Sequence, residues 1–323
     1  MAQIVCTLFE NDYHFGVASL VNSLIKAGFK GNIYAGYKGC LPPWAKGLKE
    51  FKEVEWEGAK ILQVSDSSNI IFLPLNTTYH LTNYKPDFML QLLETVNEKP
   101  ESIYYFDPDI VVTAPWSFLA NWSNCGVALC EDLNSPLEKF HPRRVAWRNY
   151  FEKYGIKLEF KNNIYVNGGF VALNIKDKKF LENWKDIQEA IVPVIGGLNR
   201  SSLTGTPLPD EAQGPYAPFG KTDQDALNIA IEASNLHISY IGKEGMGFKS
   251  GASVMVHALG TPKPWKVNYI QNIISGRVPG QTDKAYWNAV NQTIISCSPL
   301  LRWRKKVMIL VALAIGRFYG KRR

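Results

Sequence analysis

Ile4 to Leu8 is a short apolar run, and Val17, Leu20, Val21, Leu24 and Ile25 follow it at helical spacing before Gly28 closes the turn. Asn32 to Tyr37 then reads as a second strand. Strand, helix, strand within the first 37 residues is the unit of a parallel sheet, because parallel neighbours need a crossover connection. This opening sets the frame for the rest of the chain. Pro86 suits the first turn of a further helix with the face Phe88, Met89, Leu92, Leu93 and Val96. Strands are expected at Ile103–Phe106, Val127–Cys130, His237–Ile241 and Ser253–Val256, and a helix from Gln224 to Ala233. A strand from Ile164 to Asn174 is expected to be interrupted at Gly168-Gly169. The run between Ile195 and Gly220 is rich in Gly, Pro, Ser and Thr, and a long loop of this kind reads as a binding loop, a lid or disorder. With 323 residues and 46% apolar content the chain can bury a large core. The expected organisation is one α/β domain over residues 1–267 and a C-terminal appendage over 268–323.

Charge is distributed unevenly. The net +7 includes eight Lys and Arg between Arg302 and Arg323, where there is no Asp or Glu, so residues 1–301 carry −1. A body without excess positive charge is not built to track nucleic acid, and no nucleic-acid partner is expected. The five cysteines are scattered without a CxxC pair, which suggests neither a disulfide framework nor a zinc ribbon. The start MAQIVCTLFE reads directly into a strand without the features of a signal peptide, so a cytoplasmic location is expected.

Four clusters carry chemistry. In YYFDPDIVV, Asp107 and Asp109 interrupt an apolar ladder that resumes as Ile-Val-Val. Residues i and i+2 of an extended segment point the same way, so two carboxylates share one face at a strand end. Unpaired, they repel and are costly to bury; a divalent cation with a preference for oxygen, Mg²⁺ or Mn²⁺, would remove that cost. A solvated turn is the alternative. In VNGGFVALN, the Gly pair marks either a bulge or a close approach of backbone to a ligand. In KTDQDALNIAI, Asp223 and Asp225 flank Gln224 at a helix start, where Thr222 or Asp223 also suits the N-cap. In HALGTPKPW, His257 ends a strand and Lys263 follows as a cation suited to phosphate.

Taken in order, the four clusters resemble the family-eight glycosyltransferases of the GT-A fold, the group of glycogenin and bacterial lipopolysaccharide galactosyl- and glucosyltransferases. The resemblance covers residues 3–266, and HALGTPKPW is its most specific piece. It implies a Rossmann-like, mixed, mostly parallel central sheet flanked by helices, with a helical basic C-terminal appendage. It implies that Asp107, Asp109 and His257 ligate Mn²⁺ (or Mg²⁺) on the diphosphate of a UDP-sugar, with Gly260 and Lys263 on the phosphates. Leu8, Asn11 and Tyr13 would lie near the uracil, and Asn167 and Gly168 would face the donor sugar. Asp223 and Gln224 would stand beside the anomeric carbon as the catalytic pair. Lys85 would supply the basic residue that precedes the acid pair, at a spacing of 22 residues that is longer than the family's usual one. The implied reaction is metal-dependent hexosyl transfer, with retention, to a glycan or lipid-linked acceptor.

The tail 302–323 places about ten mostly apolar residues, Val307 to Gly316, between basic patches that contain Trp303, Phe318 and Tyr319. Ten residues are too few to span a bilayer but suit a helix in the interface of an anionic membrane. A helix docked on the body, or a solvated tail, is the other reading. Two other functions compete with transfer: a haloacid-dehalogenase-like phosphatase, which also ends a strand in DxD, and a non-catalytic nucleotide-sugar-binding scaffold.

Overall fold

The computed structural model describes residues 3–97, 99–203 and 205–318. Tyr319 and the last basic residues of the tail, Lys321, Arg322 and Arg323, lie outside them. Among the described residues the strands are β1 (Gln3–Glu10), β2 (Gly31–Lys38), β3 (Lys49–Glu50), β4 (Lys60–Ser65), β5 (Ser68–Pro74), β6 (Ser102–Phe106), β7 (Ile110–Val112), β8 (Val127–Glu131), β9 (Val166–Asn174), β10 (Ile238–Ile241) and β11 (Met255–His257). The α-helices are α1 (His14–Lys26), α2 (Lys85–Thr95), α3 (Trp116–Trp122), α4 (Pro142–Glu152), α5 (Lys179–Ala190), α6 (Val192–Ile195), α7 (Thr222–Ala233), α8 (Tyr269–Ile274), α9 (Gln281–Ala289) and α10 (Pro299–Phe318).

Nine strands form one sheet in the order β10-β8-β9-β6-β1-β2-β5-β4-β3. Only β9 and β4 run against the others, so the sheet is mixed and mostly parallel, as expected. The central strands are apolar on both faces because both are covered. Cys6, Leu8, Ile103, Tyr105, Val171 and Leu173 face a core shared with α2, α5 and α7. Val5, Phe9, Tyr104, Phe106, Phe170 and Ala172 face a second core shared with α1 and α3. α1 ends where Gly28 takes φ 96° and the amides of Gly28 and Phe29 return to the carbonyls of Ile25 and Leu24. That pattern satisfies carbonyls the helix would otherwise leave open, and it needs a residue that tolerates positive φ.

The two halves of the apolar ladder that Asp107 and Asp109 interrupt go to different sheets. β6 belongs to the large sheet, whereas β7 leaves it and pairs antiparallel with β11 in a separate two-stranded ribbon. The Asp107-Pro108-Asp109 turn makes that exit. β9 is a continuous strand, so the glycines do not interrupt it, although its ladder with β8 shifts register between Leu129 and Glu131. The N-cap of α7 is Lys221, not Thr222 or Asp223. The hairpin-like edge β3-β4-β5 was not anticipated.

From residue 268 onward the chain packs on the ribbon. Val111 and Val256 share a core with Tyr269, Ile273, Trp287, Ile309 and Ala312. Buried Asn22 on α1 donates to the carbonyls of Ala289 and Ile294 and accepts from the Ile294 amide. α10 therefore docks through Ile309 and Ala312. Trp303, Leu310 and Phe318 remain 62%, 66% and 90% exposed. Among the described residues no helix is long and apolar enough to cross a membrane. Ile309→Ala should lower stability by about 2–4 kcal/mol, read by urea unfolding, because it leaves a cavity in the core that Ile309 shares with Tyr269 and Trp287.

Candidate active site

Four adjacent strands deliver the site from one edge of the sheet. β8, β6 and β1 end there, and the antiparallel β9 begins there. They bring Asp132, Asp107, Leu8 and Asn167 to the rim of one cavity of about 500 Å³. A larger groove of about 610 Å³, lined by Trp44, Leu62 and residues 293–297, contains no carboxylate. The ionisable chemistry is concentrated in the smaller cavity.

The ribbon explains how His257 meets an acid pair some 150 residues earlier in the chain. Its register sets His257 opposite Ile110, and the Ala258 amide donates to the carbonyl of Asp109 at 3.1 Å. His257 Nε2 then lies 3.2 Å from Asp109 Oδ1 and 3.7 Å from Asp107 Oδ2. Among the described residues, Asp107, Asp109 and His257 form a group whose ligand atoms lie within 4.8 Å of one another. Two carboxylates and an imidazole suit Mn²⁺ or Mg²⁺.

The outer contacts orient this group. Asn167 Nδ2 donates to Asp132 Oδ2 at 2.6 Å, so its Oδ1 is the free acceptor. That oxygen receives the Gly169 amide at 2.9 Å and stands 3.1 Å from His257 Nδ1. Nδ1 is therefore the donor, and Nε2 is the atom directed at the acids, the arrangement that prepares an imidazole to bind a cation. The glycines permit the contact. A Cβ on Gly169 would lie 2.5 Å from His257 Cε1, and one on Gly168 would lie 3.1 Å from Asp223 Oδ2. The sequence offers a ligand or a bulge as the reason for this pair; the close approach in the structure is to two side chains of the site.

Lys85 sits at the centre. Its side chain is 2% exposed. Nζ donates to the Gly168 carbonyl and to Asp223 Oδ2, each at 2.9 Å, and lies 3.1 Å from Asp107 Oδ1. Three acceptors match its three protons. Burial alone would push its ammonium toward neutrality; Asp107 and Asp223 reverse this and hold its pKa above the ordinary lysine value. Burial likewise raises the pKa of Asp109, but His257 and Lys263 override it and hold that carboxyl well below the usual range.

At the start of α7, Gln224 Oε1 accepts from the Gly168 amide at 3.2 Å, whereas its buried Nε2 has no partner. Neighbouring Asp225 is structural. It accepts from the Tyr165 hydroxyl and the Lys221 amide, and burial pushes its pKa up to about 6.

The opposite wall comes from the loop before α1 and the segment after β11. Leu8, Tyr13, Gly260 and Lys263 line the cavity. Asn11, expected beside them, is exposed and takes φ 51° at the turn, outside the cavity lining. Trp265 Nε1 donates to Asp12 Oδ2 at 2.6 Å, and Lys266 pairs with the same oxygen at 2.9 Å. The Tyr13 ring meets Trp265 edge-on. Gly16 in the first turn of α1 allows the turn carrying the acids to pack against it, since a Cβ there would collide with the Pro108 carbonyl.

Sequence reading missed Asp132, Asp12 and the cavity-lining Ser201 and Ser202. Asp132 had a legible signal, an acid just beyond a strand that ends on the same edge. Asp12, in a single 3₁₀ turn (Asn11–Tyr13), and the serines, on a loop, had none.

No family model and no curated protein matches the sequence. Solved structures do. An active-site mutant of LgtC aligns with a TM-score of 0.51 at 13% identity, over 94% of this chain and 99% of that one. GlyE of Streptococcus pneumoniae TIGR4, a glycosyltransferase, aligns at 0.49 with 14% identity, over 95% of this chain and 64% of that one. The bifunctional glycosyltransferase WbbM aligns at 0.48 with 15% identity, over 89% of this chain, which spans about half of WbbM (51%). The likeness to LgtC is one of fold, and the fold is GT-A.

Gly169→Ala should displace the His257 ring and weaken Mn²⁺ binding at least about tenfold, as loss of orienting contacts around a metal does. Isothermal titration of the folded variant checks this; unaltered Mn²⁺ binding would contradict the geometry.

Proposed function

We propose that the protein is a metal-dependent retaining glycosyltransferase that moves a hexosyl group from a UDP-sugar to a glycan or lipid-linked acceptor. The observation that carries this reading is the convergence, in one cavity, of the acid pair, His257, two paired lysines and the unpartnered amide of Gln224. Asp107, Asp109 and His257 would hold the Mn²⁺ or Mg²⁺ ion, which supplies positive charge to a leaving diphosphate when bound. Lys263 and the loop at Gly260 would receive the phosphates. The wall at Leu8 and Tyr13 would take the base.

At the reacting carbon the chain offers Asp223 and Gln224. Asp223 is tied to the Lys85 ammonium, a contact that occupies one carboxylate oxygen and lowers its nucleophilicity. Gln224 carries no carboxylate, and its free N–H is a donor for a sugar oxygen. Both suit stabilisation of an oxocarbenium-like state with attack on the same face, rather than a covalent intermediate. Asn167 and Gly168 would face the donor sugar. The loop at Ser201 and Ser202 lies on the side left for the acceptor.

A donor panel of UDP-Glc, UDP-Gal, UDP-GlcNAc and GDP-Man, scored by Mn²⁺-dependent hydrolysis, tests this. A UDP-sugar should be consumed, chelation should abolish turnover, and Asp107→Ala should reduce it more than about a hundredfold, since even outer contacts of a metal are worth about 10–100-fold. Turnover of p-nitrophenyl phosphate instead would favour the phosphatase, and binding of UDP with Mn²⁺ without turnover would favour the scaffold.

The outward face of α10 supports a peripheral contact with anionic membrane at the cytoplasmic face, with Trp303, Leu310 and Phe318 exposed beside Arg304 and Arg317. Because α10 is also docked on the body, the test alters that face alone. Trp303→Ser with Leu310→Ser should weaken co-sedimentation with phosphatidylserine vesicles while leaving thermal stability unchanged. Undiminished vesicle binding would refute the contact.

A further inference from the structure

We propose that Lys263 is an exchangeable counter-ion of the acid pair, so that a divalent cation and a diphosphate enter this site cooperatively. The inference rests on the reading of the site given above. Asp109 is buried, with a side chain only 5% exposed, and cannot rely on water to offset its charge. Lys263 Nζ donates to its Oδ2 at 2.5 Å, while His257 Nε2 faces Oδ1 at 3.2 Å. The ligand-free carboxylate is therefore already neutralised by the chain's own lysine.

A cation held by Asp107, Asp109 and His257 takes an oxygen of that same carboxylate. An ammonium at hydrogen-bond distance from the carboxylate then lies within a few ångströms of a dication, and the two repel. Lys263 must give way for the ion to bind well, and the surroundings allow it. Its Nζ also donates to the Ala258 carbonyl at 2.7 Å and lies 5.7 Å from the centre of the Tyr13 ring, so it keeps partners as it turns. Gly260 takes φ 72°, and a Cβ added there would meet no atom within 4 Å, so the loop around it is open. Lys85 has no such freedom, being buried against three acceptors. Of the two lysines, only Lys263 can exchange.

The cation alone must displace Lys263 and leave the ammonium without a carboxylate. The diphosphate alone must approach two acids. Together each relieves the other, because the cation takes Asp109 and the diphosphate takes Lys263. Linkage makes this coupling reciprocal.

Isothermal titration of Mn²⁺ alone, UDP alone, and each in the presence of the other separates these contributions without reading activity. In the wild type each ligand should tighten the other about tenfold or more. Lys263→Gln should bind Mn²⁺ alone about tenfold more tightly than wild type, should bind UDP more weakly, and should lose most of the coupling. Lys263→Arg, which keeps the charge, should hold Mn²⁺ alone as weakly as wild type. If the wild type binds both ligands but Lys263→Gln binds Mn²⁺ no more tightly, the counter-ion role is wrong. If Lys263→Gln does not fold, independent binding of Mn²⁺ and UDP to the wild type overturns the proposal. A wild type that binds neither ligand overturns the proposed function together with this inference.

Discussion

Asp107, Asp109 and Asp223 meet in one cavity that Glu10 and Asp132 also line, and the fold around them is organised by the need to compensate that charge. Lys85 answers two of them at once. Removing its ammonium would take away the cation that stands between Asp107 and Asp223 and leave like charges close together. A buried group with every proton engaged is also rigid, so Lys85 fixes the distance between the turn after β6 and the start of α7. The glycines of β9 are part of the same arrangement, since one accepts from Lys85 through its carbonyl and the other makes room for His257.

The second organising element is the β7-β11 ribbon. A strand that had simply continued from β6 would have carried Asp109 into the sheet. The turn instead sends the chain out to meet a partner from late in the sequence, and the pairing register decides which residue stands beside Asp109. A slip of one residue would turn His257 to the opposite face and replace it by Val256 or Ala258. Precision at the site thus comes from a short ladder, buttressed by Val111 and Val256 in the core formed with α8, α9 and α10.

Much of this was legible in the sequence, and the rest was not for physical reasons. β1, α1, β2 and α2 announce themselves because a central strand is apolar throughout and a covering helix has one apolar face. The acid pair, Asn-Gly-Gly, Asp-Gln and His…Lys clusters were each visible, and their order pointed to a common site. What local pattern cannot reveal is pairing at a distance. Nothing near Ile110 signals that its partner is His257, nothing near Asp12 signals Trp265, and nothing in Ile-Val-Val signals that it leaves the large sheet for a second one. Lys85 shows the same limit: its distance from Asp107 along the chain says little, because α2 starts at the sheet edge where β6 ends.

The ribbon also sets an order on assembly. A chain made from its N-terminus exposes β1, β2, β5 and β6 early, and these can align with one another as they appear. Asp109 is different. Its two compensating side chains, His257 and Lys263, are among the last of the body to be synthesised. Until they arrive, its carboxylate has no reason to leave water, and the turn that carries it stays open to solvent. The cavity therefore acquires its charge-balanced form only once the chain has been made past residue 263, and a truncated product ending before residue 255 would possess all nine strands of the large sheet without the centre they serve.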